Sequence, residues 1–142
     1  MPANMYDPAG HSAGEQASST YEGRHLTFEE SVILHPSHID GLVDGKDPVL
    51  VGDSIVGVAF SSAAANTDLI AIDTEGVWFL NVVATANMNR GAVVYIDPVT
   101  AILSDDSNDV PFGYILSALT ASGSAQLVAV KVHWHAVGSL ST

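Results

Sequence analysis

The sequence predicts an all-β fold: a small compact barrel or sandwich of short antiparallel strands, preceded by an extended N-terminal arm. Three observations carry that expectation. Short runs rich in Val, Ile, Phe and Tyr recur about every 8–12 residues, with Gly, Asp, Asn or Pro at the breaks, which is the spacing of a sandwich or barrel. Helical periodicity is nearly absent, the single candidate being one or two turns over Val83 to Asn89. The stretch from Gly45 to Phe60 reads as a complete hairpin, with Val49-Leu50-Val51 as one strand, Gly52-Asp53-Ser54 as the turn and Ile55 to Phe60 as the return.

Taken in order, residues 1–24 hold Pro2, Pro8, Gly10, Gly14 and Gly23 among Ser, Ala and Thr, and leave little to bury. They read as an arm, with Tyr6 and Tyr21 as the aromatic anchors that would order it against a partner. From His25, Leu26 and Phe28 alternate with polar neighbours and Val32-Ile33-Leu34 closes an apolar run, which predicts an entry strand. The segment from His35 to Gly41 is a turn-rich connection, since Pro36 disfavours helix at His35. The organisation expected is therefore an arm and entry strand over 1–40 and a β-barrel over 41–142.

Beyond Leu42, strands are expected near 48–51, 54–60, 67–73, 76–82, 92–97, 100–103, 112–118 and 125–134. A second unit echoes the hairpin: Gly91-Ala-Val-Val-Tyr-Ile-Asp97, a polar excursion, then Pro111-Phe-Gly-Tyr-Ile-Leu116. Gly57 and Gly113 each interrupt an apolar strand, and Gly76 opens one; such glycines mark bulges, bends or close backbone approach. The runs 76–80 and 126–130 are continuously apolar rather than alternating, so their outward faces should also be covered, by the arm or by neighbouring subunits. Trp78 and Trp134 are too large to be idle on a surface and belong either to the core or to an interface.

Composition narrows the function. With 142 residues and 47% hydrophobic content the chain can bury a real core as one domain. Sixteen acids against four bases (Arg24, Lys46, Arg90, Lys131) give a net charge of −12, which repels phosphate and argues against nucleic acid and anionic membranes as partners. The absence of cysteine removes disulfides, thiolate catalysis and thiolate zinc sites, and fits assembly in a reducing cytoplasm. The first residues lack the basic and apolar regions of a signal peptide, and no apolar run approaches the ~20 residues that span a bilayer.

No constellation of catalytic residues stands out. There is no Gly-x-Ser-x-Gly elbow and no Gly-rich phosphate loop. His133-Trp-His135 puts two imidazoles on one face of an extended strand, a possible metal half-site, and resembles the first cupin motif without its glutamate. His35 and His38 sit in a turn, where a metal role would require a spatial partner, and His11 and His25 lie in or near the arm. Asp105 to Asp109 reads as an acidic hairpin loop, lacking the mid-loop glycine and closing glutamate of a calcium loop. Asp44, Asp47 and Asp53 read as turn formers. The expectation is a non-enzyme with no cofactor and no metal.

The order of pieces is itself informative. An Asp-Pro-Val-Leu-Val-Gly strand (47–52) is followed by a Gly-Val-Ala return (57–59) and an Ala-rich loop. An apolar strand and Glu-Gly-Val-Trp (75–78) lead to a short Ala/Asn-rich segment ending at Gly91. Val-Val-Tyr (93–95), Phe-Gly-Tyr-Ile-Leu (112–116), an Ala-rich turn and a Val-rich terminal strand complete the series. Over roughly residues 41–134 this resembles the tailed-phage head decoration, or capsid cement, proteins. The resemblance implies a structural virion protein made in the host cytoplasm. It implies a homotrimer on the outer surface of an icosahedral head at three-fold or quasi-three-fold positions, bridging major capsid subunits and stabilising the head. The lead of about 40 residues is longer than the family's, which makes the arm a candidate for reaching across a partner surface. The partner-facing residues expected are Tyr6, Tyr21, Leu26, Phe28, Trp78 and Trp134. Two other functions are compatible with the residues: an adhesion module that presents loops to a receptor or glycan, and a metal-dependent barrel enzyme built on His133 and His135.

Overall fold

A computed structural model describes Ala9 and residues 25–133. Among the described residues, ten strands and one short 3-10 turn make up the regular structure, and no α-helix occurs. β1 (His25–Glu29), β2 (Ile33–Leu34), β3 (Pro48–Val51), β4 (Ile55–Ala59) and β5 (Leu69–Asp73) form an antiparallel sheet in the order β1-β5-β4-β3-β2. β6 (Glu75–Val83), β7 (Val93–Ile96), β8 (Leu103–Ser104), β9 (Val110–Ile115) and β10 (Ala125–His133) close into a barrel in the order β10-β6-β8-β7-β9. The all-β expectation holds, and the strand positions follow the apolar runs closely.

The Gly45 to Phe60 hairpin forms as read: Val51 pairs with Ile55 across the three-residue loop, whose first residue, Gly52, takes a left-handed φ of +63° that glycine adopts without strain. Its unbroken apolar run has a physical cause. Leu50, Val56 and Val58 pack with the barrel interior around Phe112, Ile96, Leu103 and Ile115. Val49, Val51 and Ala59 point the other way, into a second cluster with Val43, Ile70 and Ile72 that Leu26 and Phe28 partly cover. The hairpin is buried on both faces, so the period-two polar alternation of a half-exposed strand is absent.

Three local readings are corrected. The entry strand is broken by a 3-10 turn over Glu30–Val32, whose Glu30 is buried and accepts a hydrogen bond from Val43 N. The segment 83–89 is not helical. β6 continues to Val83, after which the backbone groups are taken by distant partners: Thr85 and Ala86 N–H by Asp105, Met88 by Leu119, and the Ala84 carbonyl by Ser122 and Gly123. Those partners displace the i to i−4 bonds that a helix would need. The barrel strands are also not all antiparallel, because β8 runs parallel to β6 through Val82↔Leu103 and Val83↔Ser104.

The glycines within strands serve close approach. A Cβ on Gly57 would lie 2.6 Å from the Asp73 carbonyl oxygen, and one on Gly113 would come closer still to that of Lys131. Gly76, the second residue of β6, has a φ of +104° just after the chain passes from the open sheet into the barrel.

Candidate functional site

Two features stand outside the core: an apolar outer face on the barrel and a histidine–carboxylate loop beside it. The first follows from the β6–β10 ladder, nine residue pairs running from Ala125↔Val83 to His133↔Glu75. Alternation turns Leu80, Val82, Val128, Val130 and Val132 into the barrel, where all are buried. The intervening positions then face outward. Phe79 is 75% exposed, Leu127 68% and Val77 55%. Phe79 stands opposite Ala129 and Leu127 opposite Asn81, so the two large side chains are diagonal neighbours on one surface. The expectation that these runs need an external cover thus has specific residues, and no described segment covers them.

A groove of about 410 Å³ continues from this face to the open sheet, lined by Pro36, Lys46, Asp47 and Pro48 on one side and Phe79, Leu127 and Ile102 on the other. Ile102 is held there by the β7–β8 turn, in which Asp97 accepts the N–H groups of Val99 and Thr100, and Ala101 adopts a left-handed φ of +59°. At the far end of the ladder Glu75 pairs with Lys131 at 3.3 Å and with His133 Nδ1 at 3.4 Å, giving the apolar face a charged rim.

Of the residues expected to face partners, Leu26 and Phe28 are half-buried against the second cluster. Trp78 is half-buried against the barrel core and donates its indole N–H to Glu75 O at 3.4 Å. Tyr6, Tyr21, Trp134 and the arm lie outside the described residues, as does His135 of the His-x-His pair. Sequence reasoning noticed the continuous run at 76–80 but singled out Trp78. The inward direction of Trp78 follows from its register, which composition does not reveal.

The second feature occupies the β2–β3 connection. His35 Nε2 lies 3.0 Å from Glu30 Oε2 and its Nδ1 lies 2.7 Å from Pro36 O. His38 Nε2 lies 2.6 Å from Asp47 Oδ2 and its Nδ1 3.5 Å from Asp44 Oδ2. The two rings stack with centroids 5.9 Å apart and planes 7° from parallel. The hydrogen bond to Asp47 holds the His38 imidazole above its ordinary pKa, against the opposing effect of burial and with help from the nearby charges of Asp44 and Asp40. Asp47 was expected only as a turn former; the sequence signal that links it to the pair is the spacing His35-x-x-His38 with an acid at 47, ahead of a strand.

The Asp105 to Asp109 loop is a compact turn. The Asp105 carboxylate turns back onto Thr85 and Ala86, and Asp106 accepts the Asn108 N–H.

A family model described as phage cement protein matches residues 29–132, which takes in β2 to β5, the barrel as far as Val132, the outer face and the histidine loop. The chain belongs to the phage cement protein family. As a phage cement protein it has a structural, capsid-associated role, and its place is the virion. No curated protein and no solved structure matches the chain significantly. The match begins at Glu29, so this cement protein's family region includes β2 and the whole β2–β3 connection, upstream of the likeness legible at 41–134.

Proposed function

We propose that this cement protein decorates the outer surface of the phage head as a homotrimer, bridging major capsid subunits at three-fold or quasi-three-fold positions. The observation that carries the reading is the outward face of β6 and β10. Phe79, Leu127 and Val77 form an apolar surface continuous with a groove, and an apolar patch of this kind on a structural protein belongs to an interface. Its apolar character suits contact between copies, since homo-oligomer interfaces are the more apolar class. Residues 1–24, with Tyr6 and Tyr21, are assigned to the capsid contact, where many symmetric weak contacts act together as avidity. A net charge of −12 keeps the protein soluble in the host cytoplasm where it is made and away from packaged DNA.

The test combines self-association with decoration. Purified protein should sediment as a trimer at micromolar concentration, and the double variant Phe79→Ser, Leu127→Ser should sediment as a folded monomer. Added to expanded capsids that lack decoration, the native protein should bind saturably near three copies per three-fold position and raise the temperature at which heads lose DNA. A deletion of residues 1–24 should remain trimeric and bind at least about tenfold more weakly. Absence of saturable binding by the native protein would remove the proposal.

A further inference from the structure

The histidine loop has no part in the assembly reading, and its chemistry points elsewhere. Pro36 O can only accept and so takes a hydrogen bond from Nδ1 of His35, while Nε2 faces the Glu30 carboxylate at 3.0 Å, where a bound ion would take the place of the proton between them. His38 is held likewise, with Asp44 Oδ2 3.5 Å from its Nδ1 and Asp47 Oδ2 2.6 Å from its Nε2. An acceptor on the second ring nitrogen is what orients imidazoles that bind metal through the first. One ligand atom from each of His35, His38 and Asp47 lies within 4.8 Å of the others. Ligands about 2.1 Å from a shared ion stand about 3.3–4.2 Å apart, so an ion entering here would open the 2.6 Å His38–Asp47 contact and draw the wider separations, none above 4.8 Å, inward. All three residues are partly buried, and Glu30, buried beside His35, supplies a further oxygen at the inner side.

We propose that His35, His38 and Asp47 form a binding site for one divalent transition-metal ion of the zinc class. Two imidazole nitrogens and one carboxylate suit Zn²⁺ and its neighbours and disfavour Ca²⁺ and Mg²⁺, which take oxygen. The ion would tie the end of β2 to the residue preceding β3, so its binding energy would add to the stability of the open sheet. Asp47 also lines the apolar groove, which places the ion beside the proposed interface. The metal site itself does not rest on the cement reading.

The experiment uses the full chain without a histidine tag, stripped by chelator and titrated with Zn²⁺ by calorimetry, with Co²⁺ absorption as a report of nitrogen–oxygen coordination. One equivalent should bind per chain, and a Zn²⁺ concentration about a hundredfold above the Kd should raise Tm by about 5–10 °C. His38→Ala and Asp47→Asn should each weaken binding at least about tenfold, while His133→Ala should leave it unchanged. If His38→Ala does not fold, His38→Gln replaces it, keeping a polar contact to Asp47 without the imidazole. Failure of Zn²⁺ to bind saturably overturns the proposal and leaves a proton-bridged histidine–carboxylate cluster. Equal binding of Ca²⁺ overturns it, as does loss of binding in His133→Ala alone.

Discussion

At the scale of single residues, Gly57 and Gly113 are positions where one methyl group would meet backbone. Neither the Asp73 carbonyl nor the Lys131 carbonyl can rotate away as a side chain would, so the strands themselves must separate. Gly113→Ala should destabilise the fold by about 2–4 kcal/mol and Gly57→Ala by slightly less, both read from urea midpoints. Gly41, whose neighbourhood is open, should cost only about 1 kcal/mol on the same substitution, through its φ of +72° alone. Asp105 offers a test through pH. Burial raises its pKa, but hydrogen bonds from Ala86 N–H, the Thr85 hydroxyl and Thr85 N–H outweigh burial and leave it below the ordinary value. A folded-state pKa below the unfolded one means stabilisation that is complete at neutral pH and disappears as pH falls through the folded value. Asp105→Ala should therefore lose about 1–2 kcal/mol at pH 7, with the gap to the native protein narrowing in acid.

Among the elements, β1 separates what belongs to the fold from what precedes it. It pairs with β5 over five residues, and Leu26 and Phe28 help cover the second cluster. Removal of residues 1–24 should leave Tm within a few degrees of the full chain. Removal of residues 1–29 should expose the β5 edge and that cluster, costing about 2–4 kcal/mol and promoting aggregation in a thermal scan. The strands were legible because turn residues punctuate short apolar runs, and a β3–β4 hairpin with Gly52 at its corner needs no long-range information. The pairing of β8 with β6 and the direction of Trp78 were not legible, because both depend on register across distant segments. Val83 to Asn89 misled for a related reason: its composition permits a helix, and only the arrival of Asp105 and Leu119 decides against one. At the candidate interface, the run 76–80 announced that something must cover it, while Phe79 and Leu127 became identifiable only through the β6–β10 ladder.

On the scale of the whole molecule, a chain of net charge −12 with an apolar outer face carries two opposing tendencies. Like charge keeps copies apart over roughly the Debye length, whereas apolar contact acts only at the surface. Raising salt from about 0.05 to about 0.5 M shortens the repulsion without weakening the contact, so the proposed self-association should strengthen. Sedimentation at the two salt concentrations reads this directly, and weaker association in high salt would mean that ion pairs such as those at the Glu75 rim dominate instead.

The closure of the barrel also governs how the molecule carries load. β10 is hydrogen-bonded to β6 along one edge and to β9 along the other. A pull along β10 cannot peel it away one bond at a time; it must shear both ladders together. In the open sheet, β1 and β2 each hold to a single neighbour and can unzip from one end. If the protein bridges capsid subunits as proposed, a head that swells under pressure would strain it first in the five-stranded sheet, ahead of the barrel.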